Sequence, residues 1–239
     1  MAKVLGVIPA RGGSKGIPDK NLALVGGRPL LAYTADAVKE SKLLTRTIVS
    51  TDDARIADCA RSMGLEVPFM RPSSLAGDEA PMLPVLQHAV ETLEADGFHA
   101  DIVFLLQPTS PLRRGEHIDA AVKWLERAGG DSVVSVVEVP HQFNPASVMR
   151  VEEGLLKPFL DAPTATRRQD KPRYFARNGP AVLAARTPYA EACAHLYEGR
   201  VTGHPMDRRH SIDIDGPEDL LEAEDAIRRT RDAEVSRRG

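Results

Sequence analysis

The chain has 239 residues, of which 42% are hydrophobic and 27% are charged, and its formal net charge is −3. This balance excludes a disordered chain, and the small negative charge argues against a nucleic-acid partner. No apolar run is long enough to span a bilayer and no signal-peptide pattern is apparent, so we expect a cytoplasmic protein without a membrane partner. Cys59 and Cys193 are too few for a disulfide framework.

Strand-like and helix-like patterns alternate over the first 138 residues. Four short apolar runs predict strands at 4–8, 47–50, 102–106 and 132–137. Helical spacing predicts helices over 29–40, from Asp52 or Asp53 to Met63, over 86–93 and over 118–125. We therefore predict an α/β fold with a doubly wound, mostly parallel sheet, in which ligands bind at the carboxyl ends of the strands.

The periodicity is lost between Pro140 and about Gly179. We interpret 140–179 as an arm inserted in a single domain of 1–239, which packs on a second subunit. The pattern resumes with a predicted strand over 181–185 and ends with a helix before a charge-rich tail, which we expect to be frayed from Arg228. Cationic residues crowd the arm, namely Arg167, Arg168, Lys171, Arg173 and Arg177.

A glycine-rich loop follows the first predicted strand, from Pro9 to Asn21. Its three glycines would let backbone amides approach an anion, and its cations suit a triphosphate. The glycine spacing fits neither a Walker A loop nor the Rossmann fingerprint, and a solvated turn is the alternative. The glycines and cations are Gly12, Gly13, Gly16, Arg11, Lys15 and Lys20.

Two carboxylates near the end of the chain, Asp213 and Asp215, would lie on one face if their segment is extended. Two oxygen ligands, completed by phosphates and waters, are what Mg²⁺ usually takes. The alternative is a helix N-cap at Asp215, ahead of a helix that begins near Pro217.

Two further segments are candidates for substrate contacts. Gln107 and Thr109 follow the third strand and could hydrogen-bond a base or a sugar, or simply form a proline-structured turn. The arginines at 167 and 168 could clamp a carboxylate or phosphate, or lie on an exposed basic arm. The histidines show no metal-ligand spacing.

In this order, these segments resemble the acylneuraminate cytidylyltransferase family, which includes the CMP-sialic acid synthetases. The first, fourth and last of seven matching stretches carry most of the specificity. The stretches are Ile8-Pro-Ala-Arg-Gly-Gly-Ser-Lys-Gly-Ile-Pro-Asp-Lys-Asn, Ile48-Val-Ser-Thr-Asp-Asp, Phe69-Met-Arg-Pro, Leu106-Gln-Pro-Thr-Ser-Pro-Leu-Arg, Arg167-Arg-Gln-Asp, Asn178-Gly and Ser211-Ile-Asp-Ile-Asp. The chain departs from the family pattern after Asp78-Glu-Ala, where Pro81-Met82 replaces small hydroxyl residues near the base.

The resemblance implies a homodimer whose arm reaches the partner's active site, with CTP or another nucleoside triphosphate and a sugar acceptor as substrates and Mg²⁺ as the cofactor. The implied nucleotide-binding residues are Arg11, Gly12, Gly13, Ser14, Lys20, Asn21 and Arg71. The implied metal ligands are Asp213 and Asp215, and the implied catalytic residues are these two with Arg11 and Lys20. The implied substrate-binding residues are Gln107, Thr109, Arg168, Gln169 and Asn178, with Arg168 at the acceptor's carboxylate.

The implied reaction is attack of a sialic-acid-like sugar's anomeric hydroxyl on the α-phosphate of CTP, with release of pyrophosphate. Charge neutralisation by Mg²⁺, Arg11 and Lys20 would supply most of the catalysis, and Asp213 would help to deprotonate the hydroxyl. Three alternatives stay open: a nucleotidyltransferase acting on a sugar 1-phosphate, with GTP as a possible donor, a glycosyltransferase, and a non-catalytic nucleotide-binding module.

Overall fold

The computed structural model describes residues 2–14, 16–78, 80–160, 172–179 and 181–238, with side chains described through residue 232. The strands within this part of the chain are β1 (Val4–Pro9), β2 (Leu24–Val25), β3 (Arg28–Pro29), β4 (Arg46–Ser50), β5 (Ile102–Leu105), β6 (Ser132–Glu138), β7 (Met149–Glu152), β8 (Leu155–Pro158), β9 (Phe175–Arg177), β10 (Leu183–Arg186) and β11 (Val201–Met206). The α-helices are α1 (Leu30–Glu40), α2 (Ala54–Ser62), α3 (Met82–Ala95), α4 (Gly115–Ala128), α5 (Thr187–Ala192) and α6 (Pro217–Arg238).

The central sheet has the order β11-β6-β10-β5-β1-β4, with β9 paired to the end of β6. Strands β4, β1, β5, β6 and β11 run in one direction, and β10 runs against both of its neighbours. The predicted α/β fold with a mostly parallel sheet is therefore confirmed. The chain enters β10 from the carboxyl end of β6, without a helical crossover, and this accounts for the antiparallel direction of β10.

Helices cover both faces of the sheet. Along β1, Val4 and Ile8 belong to one buried cluster with α1, α2 and α4, whereas Leu5 and Val7 belong to the other with α3 and α5. This alternation follows from the period of two in a strand, and it is why the strand reads as a continuous apolar run. The doubly wound arrangement predicted from the sequence is thus present.

A third, smaller apolar cluster joins the two ends of the chain. Ile17 from the glycine-rich loop and Ile214 from the segment before α6 are both buried, and they pack with Val25, Ala223 and Ile227. The cluster brings the N-terminal loop and the C-terminal segment to the same edge of the sheet. Ile17 and Ile214 are about two hundred positions apart in the sequence, so no local pattern predicts their contact.

The predicted arm, 140–179, begins after β6 ends at Glu138, and its packing on a second subunit stays a prediction. A separate two-stranded hairpin, β7 and β8, lies outside the central sheet, and β9 then returns alongside β6. Residues 161–171 lie outside the described part of the chain. The sequence predicted neither α5 nor β11. Gly203 and Pro205 lie within β11 and weaken its strand pattern.

The prediction of a frayed tail from Arg228 is wrong for the backbone, because α6 continues to Arg238. Ion pairs one turn apart, from Arg228 and Arg229 to Asp225, support the helix where apolar contacts end. Within the described residues, none of the helices is both long and apolar enough to cross a membrane.

Candidate active site

A cleft of about 380 Å³ opens at the carboxyl ends of β1, β4 and β5, at the sheet edge where ligands are expected. It is formed by the glycine-rich loop, the stretch from α2 to the start of α3, the loop after β5, the backbone at Gly179 and the stretch before α6. Its lining residues are Pro9, Arg11, Ser14, Lys20, Asn21, Arg71, Asp78, Met82, Gln107, Pro108, Thr109, Gly179, Asp213 and Asp215.

Lys20 connects the N-terminal loop to the C-terminal segment. Its ammonium group donates to the carbonyl oxygens of Ile214, at 2.8 Å, and of Asp215, at 3.3 Å. The Asp215 carboxylate lies 3.9 Å from the same nitrogen. Gly16 presses against this junction, since a Cβ there would lie 2.5 Å from the Asp215 carbonyl oxygen. The two predicted regions therefore share one cleft.

Asp213 lies deeper in the cleft than Asp215. Burial raises the pKa of the Asp213 carboxyl, an effect that a hydrogen bond with Thr109 opposes and the charge of Asp215 reinforces. Its Oδ1 atom is buried and has no hydrogen-bond partner among the described residues. Gly179, with a φ of +113°, packs so closely that a Cβ would lie 2.9 Å from the Asp213 carboxyl carbon.

Asp215 does not cap α6, so the helix-capping alternative is not supported. The carboxylate of Asp219 accepts hydrogen bonds from the backbone N–H groups of Asp215, at 2.9 Å, and Gly216, at 2.7 Å. The Asp215 side chain is 85% exposed and lies beside Lys20. The segment is not a regular strand, yet Ile214 between the two aspartates is fully buried, so the two carboxylates are free to lie toward the cleft.

The first turn of the glycine-rich loop is held by two carboxylates. The Arg11 guanidinium forms an ion pair with Asp78, and the Gly12 N–H donates to Asp52 at 3.0 Å. The Asp52 carboxylate therefore holds the loop, whereas Asp53 caps α2 by accepting from the N–H of Arg55. The amide of Gly12 is already hydrogen-bonded within the protein, which limits the number of loop amides that can meet an anion.

Three other loop residues have distinct surroundings. The buried Asn21 donates from its side-chain amide to the Arg11 carbonyl oxygen, at 2.9 Å, and so fixes the path of the loop. Ser14 lines the cleft. Gly13 faces open space, because a Cβ there would meet nothing within 4 Å.

Arg71 forms the buried wall of the cleft next to the end of β4. Its guanidinium donates to the Ser50 carbonyl oxygen, and to the Ser50 Oγ at 3.1 Å. Burial lowers the pKa of Arg71 to about 10, and the nearby charge of Asp52 opposes this shift. Arg71 is therefore a cation whose position in the cleft wall is set by the fold, and its contact with a base stays a prediction.

The predicted sugar-side residues separate into two groups. Gln107 and Thr109 line the cleft, and the Thr109 carbonyl oxygen accepts from the N–H of Ile214 at 2.8 Å. Asn178 is buried instead, where it accepts from the Ser135 hydroxyl at 2.6 Å and donates to Ser211 at 2.8 Å. Both the oxygen and the nitrogen of the Asn178 side-chain amide are therefore used within the protein, and they hold Asn178 next to Gly179, which packs against Asp213.

Several expected residues cannot be placed. Arg168, Gln169 and Lys15 lie outside the described residues, and their roles stay predictions. Two residues that received no role from the sequence, Asp78 and Met82, do line the cleft. Their position beside the base-contacting region in the family pattern was the available signal.

Solved structures of cytidylyltransferases share this fold. A CMP:2-keto-3-deoxy-manno-octonic acid synthetase solved with CTP superposes with a TM-score of 0.72 at 17% identity, covering 96% of this chain and 100% of that one. A 4-diphosphocytidyl-2C-methyl-D-erythritol synthase from Anaerococcus prevotii has a TM-score of 0.63 at 14% identity, covering 95% of this chain and 99% of that one. At these identities the likeness establishes the fold, which is that of the cytidylyltransferases.

The chain belongs to the cytidylyltransferase family, whose model matches residues 5–215. The CMP-N,N'-diacetyllegionaminic acid synthase of Legionella pneumophila is 31% identical over 239 residues, which cover 98% of this chain and 100% of the relative. The N-acylneuraminate cytidylyltransferase of Escherichia coli is 31% identical over 89% of this chain, and that of Streptococcus agalactiae is 31% identical over 92%. This chain spans about half the length of these last two relatives, 49% and 52%. The acylneuraminate cytidylyltransferase family expected from the sequence is thereby confirmed.

Proposed function

We propose that this protein transfers CMP from CTP to a sialic-acid-like keto-acid sugar, giving a CMP-sugar and pyrophosphate, with Mg²⁺ as its cofactor. The observation that carries the proposal is the convergence of Lys20 with Asp213 and Asp215 in one cleft. Family membership and relatives named for CMP-legionaminic acid and N-acylneuraminate synthesis support the choice of base and acceptor.

The triphosphate would lie along the glycine-rich loop. Arg11, Ser14 and Lys20 line this side of the cleft and offer two cations and a hydroxyl. Gly13 leaves room for the approach of an anion, because its Cα carries no side chain and faces open space. Arg71 and Asn21 would lie near the base.

The donor set fits Mg²⁺. Asp213 presents a buried oxygen without a hydrogen-bond partner among the described residues, and Asp215 presents an exposed carboxylate close by. Mg²⁺ usually takes one or two carboxylates and completes its shell with phosphate and water. When bound, this ion would neutralise the phosphate charge that develops during the transfer.

In the proposed reaction, the anomeric oxygen of the sugar forms a bond to the α-phosphorus, and the bond from that phosphorus to the pyrophosphate oxygen breaks. Lys20 would keep the leaving group's charge balanced from a position fixed by two backbone carbonyls. The hydroxyl proton would leave toward the Asp213 carboxylate, acting as a general base in the cleft.

The acceptor would lie beside Gln107 and Thr109, with its carboxylate at Arg168 of the arm. The described part of the arm supports a homodimer. The hairpin exposes an apolar face on which Val151 and Leu156 are directly opposed and are 70% and 68% exposed. Its other face carries Glu152 paired with Arg150 and Lys157. This face carries the exposed Leu155 as well, so the hairpin leaves apolar side chains uncovered on both faces, which fits burial against a second copy of the chain.

We also propose a cytoplasmic location, in line with the two free thiols Cys59 and Cys193.

The proposed CMP transfer is tested by a matrix of four nucleoside triphosphates against a panel of 2-keto acid sugars and sugar 1-phosphates, with pyrophosphate release as the readout. We expect turnover with CTP and a nine-carbon keto acid. Turnover only with a sugar 1-phosphate would indicate a sugar-1-phosphate nucleotidyltransferase. In a separate incubation without a triphosphate, consumption of a nucleotide sugar would indicate a glycosyltransferase. No pyrophosphate with any pair would support a non-catalytic binding module.

A further inference from the structure

Arg113 is a buried cation behind the cleft, at the end of the loop that carries Gln107 and Thr109. Only 3% of the residue is exposed. Its guanidinium donates to the carbonyl oxygens of Gln107 and Ala181, each at 2.9 Å, and to the hydroxyl of Thr34 at 2.6 Å. The side chain therefore joins three segments that are remote in sequence: α1, the loop after β5 and the chain entering β10.

The burial of this cation is costly and has to be offset. A buried charge loses its hydration, and here burial lowers the pKa of Arg113 to about 9, while the negative charge of Asp213 acts in the opposite direction. The Nε atom of Arg113 and the Oδ1 atom of Asp213 are both buried without a hydrogen-bond partner among the described residues. The two groups are thus of opposite charge, and each retains an unused polar atom.

The two carbonyl groups held by Arg113 belong to two segments that each contact Asp213. Gln107 precedes Thr109, which hydrogen-bonds Asp213 and accepts from the N–H of Ile214. Ala181 follows Gly179, whose backbone packs against the Asp213 carboxyl. If Arg113 releases both carbonyls, the two surfaces that define the position of Asp213 lose their common support.

We propose that Arg113 is a positioning residue for the Asp213 segment, which clamps the Gln107 loop to the chain entering β10 and so fixes the proposed metal ligand. Its effect on turnover rests on the proposed function, whereas its effect on the Asp213 segment does not. Arg113 does not line the cleft, so it acts through the residues that do.

The experiment compares Arg113→Met, Arg113→Lys and the matched control Thr34→Val. The control removes one hydrogen bond of the same guanidinium and leaves both carbonyl contacts in place. Two quantities are measured under conditions in which the variants have equal free energies of unfolding. They are the rate of hydrogen exchange of the Ile214 amide and the Mg²⁺ concentration that gives half-maximal pyrophosphate release.

We expect Arg113→Met to accelerate exchange at Ile214 by about tenfold or more and to raise the half-maximal Mg²⁺ concentration by a similar factor. Arg113→Lys should recover part of both effects, and Thr34→Val should change only the melting temperature. If Arg113→Met fails to fold, Arg113→Lys against Thr34→Val decides the question. Equal exchange and equal Mg²⁺ dependence in these two variants would overturn the proposal. If the wild-type protein releases no pyrophosphate, the proposed function fails, and the exchange measurement alone decides the role of Arg113.

Discussion

Lys20 and Asp215 meet although 194 residues separate them along the chain. The Lys20 ammonium donates to the Asp215 carbonyl oxygen at 3.3 Å and lies 3.9 Å from its carboxylate. The Lys20 side chain is only 13% exposed, so it is held in place by the fold. This contact puts a proposed phosphate-binding cation beside a proposed metal ligand.

Asp215→Ala should abolish Mg²⁺-dependent pyrophosphate release while the fold is retained. The carboxylate is 85% exposed, and after its loss the Lys20 ammonium still donates to the carbonyl oxygens of Ile214 and Asp215. We expect a fall of at least about 100-fold in kcat, because charge neutralisation at the phosphates supplies much of such catalysis. Glu218→Ala, in the first turn of α6, is the matched control and should retain activity. Near-normal turnover in Asp215→Ala would refute the metal assignment.

Gly16→Ala should destabilise the protein. A Cβ at Gly16 would lie 2.5 Å from the Asp215 carbonyl oxygen, so the backbone has to move. We expect a loss of about 1–3 kcal/mol in the free energy of unfolding, measured by urea titration. Gly13→Ala in the same loop meets nothing within 4 Å and should change stability by less than about 0.5 kcal/mol. Equal stabilities of the two variants would show that the loop and the C-terminal segment do not pack as described.

Asp78→Asn should tighten the binding of the nucleoside triphosphate. Asp78 forms an ion pair with Arg11, so a triphosphate has to compete with it for the guanidinium. We expect Kd for CTP to fall by about three- to tenfold at low salt, with a smaller change at high salt. Asp58→Asn makes the same change in net charge on the exposed side of α2, where Asp58 pairs with Arg61. The idea fails if both variants bind CTP equally well.

Val151→Glu combined with Leu156→Glu should convert a dimer into a monomer. These two side chains are directly opposed on the exposed apolar face of the hairpin, and two carboxylates there could not be desolvated against a second subunit. Light scattering after gel filtration would measure the mass. Lys157→Ala, on the opposite face, should leave the mass unchanged. A wild-type protein that is monomeric at all concentrations would contradict the proposed role of the arm.

His117 should make the stability depend on pH below neutrality. Its Nδ1 atom accepts from the N–H of Arg114 at 3.0 Å. Burial, reinforced by the neighbouring His210, lowers its pKa from 6.5 to about 4. Between these two values the unfolded chain binds a proton that the folded protein does not, so the free energy of unfolding falls as the pH drops below about 6.5.

His117→Gln should remove part of this pH dependence. Because the ring is only partly buried, we expect a difference of no more than about 1–2 kcal/mol between pH 6.5 and pH 4.5, measured by urea titration. His99→Gln, at a histidine whose side chain is 70% exposed, serves as the control. Parallel stability–pH curves for the wild-type protein and His117→Gln would exclude this role of His117.

The regular core of the fold could be predicted because its signals are local. The apolar run at Val4–Pro9 and the cap at Asp53 each depend on a few neighbouring residues. The direction of β10 and the existence of β11 could not be predicted from such local signals. Strand direction is set by where the chain re-enters the sheet, and β11 pairs with β6 in spite of its own Gly203 and Pro205.

The candidate site was predictable in part, because its residue types suit a polyphosphate and a divalent ion. Asp52 was expected, with Asp53, as a candidate helix cap, and Arg113 had no role of its own, since a carboxylate after a strand and an arginine in a proline-rich turn have many ordinary uses. Their partners, Gly12 in one case and Gln107, Ala181 and Thr34 in the other, are identified only by three-dimensional contacts.

By itself, the sequence determined the alternating α/β pattern, the family and the two segments to which we assign the chemistry, because periodicity and motif composition are properties of neighbouring residues. Only the tertiary structure decided that these two segments meet, through Lys20, Gly16 and the packing of Ile17 with Ile214. The physical reason is that burial of a few apolar side chains brings distant parts of the chain into contact, and no short stretch of sequence records which distant surface will be its partner.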